Sequence, residues 1–159
     1  MSTLLCTAAR NGSLDLVQEL VDGGADINFA DNNGVTPLKY SVMKGHVRVV
    51  QYLIANGADI NMSLNTGKAP IQLAVECQQI GSLDVLLNAG ANLDSGALLL
   101  LIASYRGNLE ITKRLLEAGV SVNTSVEGDW SPLRAASRFG RIDIAQLLLG
   151  MHHSSEKAL

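Results

Sequence analysis

The chain has 159 residues, enough for one ordinary domain, and 47% of them are hydrophobic while only 4% are aromatic. Leucine and alanine therefore carry the core, which favours helices over sheets. A net charge of −3 and a pI near 5.5 exclude a general nucleic-acid binder, which would be basic.

The opening segment, "MSTLLCTAARNG", lacks the basic n-region and long apolar stretch of a signal peptide. Two cysteines, Cys6 and Cys77, do not make a disulfide framework. The expected setting is a reducing, intracellular one, cytoplasmic first, with a nuclear location as the secondary alternative. A first helix turns at Gly12 and a second follows through "SLDLV". Next, Thr36 suits an N-cap and Pro37 a first helical residue, because proline lacks only an amide that would be unpaired there. Leu38 to Lys44 continues that short helix, and Gly45 turns the chain in the left-handed conformation glycine adopts cheaply. In "VRVVQYLIAN", Val47, Val50 and Ile54 fall on one helical face, with Val49 and Leu53 beside them.

Pro70 opens the next helix in "GKAPIQLA". Here Gln78-Gln79 replace the Gly45-His46 pair, and a non-glycine residue rarely takes positive φ, so the turn is expected to shift toward Gly81. The stretch "SGALLLLIASYRGN" then holds seven consecutive apolar residues, Ala97 to Ala103, against the roughly 20 needed to cross a bilayer. It reads as a buried helix starting at Ser95 or Gly96. The last pair opens at Pro132 in "WSPLRAA", and its second helix, "IDIAQLLLG", stays apolar through Leu147, Leu148 and Leu149.

These elements repeat. "DGGADIN", "ANGADIN", "NAGANLD" and "EAGVSVN" end at Asn28, Asn61, Asp94 and Asn123, in steps of 33, 33 and 29 residues. Pro37 and Pro70 are 33 apart, as are Gly12 and Gly45, and Gly107 and Gly140. Helix, turn, helix and loop at this period, as in "DNNGVTPLKYSVMKGHVRVVQYLIANGADIN", closely resemble the ankyrin repeat. The resemblance implies an all-α solenoid of helix-turn-helix units with β-hairpin loops projecting as fingers. Five repeats fit, at about 1–30, 31–63, 64–96, 97–125 and 126–150, with 151–159 a flexible tail or an appended remnant. The four residues missing from the 29-residue step fall between Asp94 and Leu98, so the fourth finger is expected to be cut back. The histidine of the family's "TPLH" is replaced by Lys39, Gln72 and Arg134.

No phosphate loop, nucleophile elbow or zinc-spaced Cys/His set is present. The expectation is a protein that is not an enzyme, with no catalytic residues, metal or cofactor. His152 and His153 belong with a tail more readily than with a metal site. The resemblance implies instead a protein-protein interaction module: an adaptor, scaffold or inhibitor binding another protein on its concave, finger-side surface. No nucleic-acid partner is expected from the acidic balance, and no membrane partner from an apolar run of only seven residues. Alternatives are a targeting or structural segment of a larger enzyme or channel, or a small ankyrin-type kinase inhibitor. Asn28, Asn61 and Asn123 each follow a leucine by eight residues, as in asparaginyl-hydroxylation acceptors of the family. The stronger expectation is that these asparagines tie the loop backbone by side-chain hydrogen bonds, since the family carries Asn there regardless.

Family contact positions, carried onto this sequence, give Asn33, Val35, Met43, Lys44 and Lys68 in the first half. In the second half they give Tyr105, Arg106, Glu127, Asp129, Trp130, Arg138 and Phe139. Tryptophan, tyrosine and arginine dominate binding energies, so the expected centre is Trp130 with Tyr105, Arg106 and Arg138. The expected ligand is an acidic or amphipathic segment, with self-association through the apolar C-terminal helix as a second contact.

Overall fold

The computed structural model describes residues 1–63, 67–126 and 130–156, with side chains described through Met151. The chain divides into two compact units, Met1–Ala91 and Asn92–Leu159.

The first unit holds α1 (Ser2–Asn11), α2 (Leu14–Asp22), α3 (Pro37–Lys44), α4 (Val47–Ala55), α5 (Pro70–Glu76) and α6 (Ile80–Asn88). Thr36 caps α3 by accepting the Lys39 amide at 3.3 Å, and Pro37 and Pro70 occupy the first helical positions of α3 and α5. Each helix packs on its pair mate and on its counterpart one repeat along: α1 on α2 and α3, α3 on α4 and α5, α4 on α6. Leu5, Val17, Leu38, Val50, Leu53, Ile71, Leu83 and Leu86 make the core, while Ala8, Ala9 and Ala74 bring helix backbones close. On α4 the buried residues are Val49, Val50 and Leu53; Val47 and Ile54 flank them, half-exposed.

The second unit holds α7 (Gly96–Arg106), α8 (Leu109–Glu117), α9 (Pro132–Arg138) and α10 (Ile142–Glu156). Helix α7 packs on α8 and α9, and α10 on α9 and α8. In the leucine run Leu99 and Leu100 are fully buried, with Ile111, Leu115, Ala135, Ile144 and Leu148 around them. Leu98 and Leu101 are only half-buried. Gly96 begins α7, and a Cβ there would lie 3.0 Å from a methyl of Val120. Of the three C-terminal leucines, Leu148 is core, Leu147 half-buried and Leu149 exposed.

Two expectations are corrected. Among the described residues there is no β-strand, so the expected β-hairpin loops are not formed; one isolated bridge pairs Val126 with Trp130. The loops satisfy their backbone groups locally instead. Asp31 Oδ1 accepts the amides of Asn33 and Val35, at 2.9 and 3.0 Å, and the Gly34 amide donates to the Asp31 carbonyl at 2.8 Å. Asp26 and Asp59 close similar turns on the amides of Asn28 and Asn61, and Asn92 on that of Asp94. Side chains that bond the local backbone compete with a ladder.

The turn between α5 and α6 does not shift either. Gln78 takes the left-handed conformation itself, at φ 57°. Gly81 lies inside α6, where a Cβ would sit 2.7 Å from a Val47 methyl of α4. That glycine serves helix packing, so the strained turn falls to Gln78.

A recurrent tie runs 36 residues back along the chain. His46 Nε2 donates to the Arg10 carbonyl at 3.0 Å, Gln79 Nε2 to the Met43 carbonyl at 3.4 Å, and Arg141 Nε to the Tyr105 carbonyl at 3.3 Å. Each reaching side chain lies against the preceding turn glycine, Gly12, Gly45 or Gly107. These glycines therefore answer to two demands, positive φ and room for a neighbour's side chain.

Candidate functional site

Most candidate residues of the first unit are drawn into its own structure. The Lys68 ammonium pairs with Glu76 at 2.7 Å, and Gln72 donates to the other oxygen of that carboxylate at 3.1 Å. The amides of Asn33 and Val35 are held by Asp31, and the Met43 carbonyl accepts from Gln79. Lys44 is exposed. A small polar recess of about 80 Å³ lies among Thr3, Cys6, Thr7, Arg10, Asp31 and Tyr40. The Tyr40 hydroxyl donates to Asp31 at 2.6 Å, and the Arg10 guanidinium sits 5.7 Å from the Tyr40 ring centre. Burial pushes the Asp31 carboxyl up, but hydrogen bonds from Tyr40, Val35 and Asn33 outweigh it and hold the group below its ordinary value. Burial, with Asp31 nearby, raises the Cys6 thiol to about 11, so it is a core residue and no nucleophile. Lys39, replacing the family's histidine, is fully buried, which holds its ammonium below the ordinary value.

Asn28 ties its loop to the next: its Nδ2 donates to the Gly57 carbonyl at 3.3 Å, and its Oδ1 accepts the Asp59 amide at 2.8 Å. Asn61 and Asn123 are exposed, with their amides donating to Asp59 and Ser121.

The second unit brings candidates together. The bridge to Val126, whose amide donates to the Trp130 carbonyl at 2.9 Å, fixes the backbone of Trp130 one residue before the Ser131 cap of α9. Arg134 and Arg138, one helical turn apart on α9, place guanidinium carbons 5.9 and 5.7 Å from the indole centre, in cation–π range. Tyr105 and Phe139 meet edge to face at 4.6 Å and remain 50% and 40% exposed. Between α7 and α9 lies a cleft of about 190 Å³ lined by Leu101, Ile102, Tyr105, Trp130 and Ala135. Arg106 follows Tyr105 at the exposed end of α7.

Helices α7 and α9 carry Arg106, Arg134 and Arg138 and no acidic residue. Helix α8 carries Glu110 and Glu117 together with Lys113 and Arg114, and α10 carries Asp143 and Glu156. Glu127 and Asp129, two further candidates, lie outside the described residues.

Thus Trp130, Tyr105, Arg138 and Phe139 gather on one face. Sequence reasoning missed Arg134, Leu101, Ile102 and the positioning role of Arg141 on the Tyr105 carbonyl. Arg134 was within reach, because Trp130, Arg134 and Arg138 are spaced by four. Arg141 was not, since its partner lies 36 residues away.

Profile comparison matches residues 5–97 to ankyrin repeats (3 copies) and residues 100–149 to ankyrin repeats (many copies). The chain belongs to the ankyrin-repeat family. Ankyrin repeats generally act as non-enzymatic protein-interaction modules, and this chain carries them over most of its length. No curated protein matches the sequence. Among the described residues no group of His, Cys, Asp or Glu could hold a metal ion, and no helix is long and apolar enough to cross a membrane.

Proposed function

We propose that this ankyrin chain is an adaptor, scaffold or inhibitor that binds a partner protein through the α7–α9 face, centred on Trp130. The five helix pairs are read as five repeats within residues 1–150, the fourth entered by a shortened loop, with α10 continuing to Glu156. One observation carries the reading. The molecule's only tryptophan, two exposed aromatic rings and two arginines converge beside an apolar cleft. Rings and guanidinium groups of this kind dominate interface energetics when a partner covers them. Asn33, Val35, Met43, Lys44 and Lys68, all on the first unit, are proposed separately as peripheral contacts. A cytoplasmic or nuclear setting fits the two free cysteines.

The test is affinity capture from cell extract with the intact chain, followed by affinity measurement on the captured partner. Trp130→Ala should weaken binding by about 2 kcal/mol or more, roughly thirtyfold, with an unchanged circular-dichroism spectrum. Arg48→Ala on α4 and Lys113→Ala on α8, both exposed on second helices, should leave binding intact. Loss of binding in these two with retention in Trp130→Ala would place the site on the other face. Ile142 and Leu149 on α10 are 67% and 46% exposed and support a second contact, self-association. A sedimentation profile independent of concentration would remove it.

A further inference from the structure

Resting on that reading of the α7–α9 face, we infer that its ligand is a protein segment presenting one aliphatic side chain of leucine type flanked by carboxylates. The aliphatic group enters the cleft between Leu101, Ile102, Tyr105 and Trp130, and a carboxylate reaches Arg138. The cleft decides the first half. At about 190 Å³ it falls below the roughly 300–1,000 Å³ of small-molecule sites, and its lining side chains are aliphatic or aromatic. It suits a single apolar side chain of a larger ligand.

The charges decide the second half. Arg106 and Arg138 are exposed, and no carboxylate pairs with either among the described residues. Helices α7 and α9 offer no acidic side chain that would repel an acidic segment or attract a basic one. The Arg138 guanidinium, 5.7 Å from the indole centre, keeps its N–H donors for a carboxylate, which a guanidinium can bind in two-pronged fashion. The same cation–π contacts make a cationic ligand unwelcome at Trp130, because the ring already serves two cations.

Trp130 reports on its own site, being the only tryptophan in the chain. The probes are three short synthetic peptides of equal length: glutamate-rich around one leucine, the same with alanine for leucine, and the same with lysine for every glutamate. Titrated into the intact chain, the glutamate–leucine peptide should shift Trp130 emission saturably. Its affinity should fall at least about tenfold in Arg138→Glu, and fall with added salt as exposed ion pairs are screened. Arg138→Gln, which keeps the stem without the charge, should fall between the two. Equal binding of the lysine–leucine peptide, or equal binding of the alanine peptide, would overturn the inference while leaving the face as the docking site. No emission change with any peptide would overturn it as well. Only if Trp130→Ala also keeps full affinity for the captured partner does the reading of the face fall with it.

Discussion

Gly12→Ala separates the two demands placed on the turn glycines. Gly12 has φ 73°, and a Cβ there would lie 2.5 Å from His46 Nδ1 and 2.7 Å from Cε1, inside a rigid ring. Gly24 has φ 83° and nothing within 4 Å of the same atom, so Gly24→Ala measures the backbone penalty alone. That penalty is about 1–2 kcal/mol, and the stiffer unfolded chain returns about 0.4–1, leaving roughly 0.5–1 kcal/mol lost. Gly12→Ala carries the same penalty and also displaces His46, breaking its 3.0 Å bond to the Arg10 carbonyl. A hydrogen bond of this kind contributes about 1 kcal/mol net, and displaced ring packing adds to it, so the expected loss is about 2–3 kcal/mol. Equilibrium unfolding in urea, followed by far-ultraviolet circular dichroism, measures both. His46→Ala completes a double-mutant cycle, and its coupling to Gly12→Ala should be about 1 kcal/mol. Equal losses at Gly12 and Gly24, with no coupling to His46, would refute the tie as a stabilising element.

Leu100→Ala should lower stability by about 2–5 kcal/mol, since Leu100 is fully buried in the second unit; an unchanged midpoint would contradict its core placement. In the folded protein at pH 8, a thiol reagent should label the half-exposed Cys77 well before Cys6. Because the Cys6 pKa is raised from 9.0 to about 11, its neutral thiol favours the folded state fully below pH 9, and that contribution is lost as pH rises toward 11. Cys6→Ala should flatten this alkaline loss in urea titrations across pH. Asp31 is displaced the other way, so its contribution is present above the ordinary value of 3.8 and lost as pH falls below it. Asp31→Asn should be less stable at neutral pH and less sensitive to acid, read from the same titrations.

The period, the helices and their starts were legible in the sequence because they rest on local chemistry. Pro37, Pro70 and Pro132 each stand at a first helical position because proline loses nothing there, and Gly12, Gly45 and Gly107 cap their helices in the left-handed conformation. Seven apolar residues in a row had to be core, and Leu99 and Leu100 are. The family contact positions also put Trp130 and Arg138 at the two ends of one short segment, just before α9 and at its last residue. What it left open involved competition between distant groups. Whether Gln78 or Gly81 bore the turn depended on Val47 of another helix, which leaves no room for a Cβ at Gly81. Whether the loops formed strands depended on Asp31, whose carboxylate takes up the amides of Asn33 and Val35. Lys68, an exposed candidate by position, was claimed by Glu76, while Arg141 reached back to Tyr105 across 36 residues. Local propensity acts through neighbours in the chain and can be read along it; partners brought together by packing exist only once the helices have stacked.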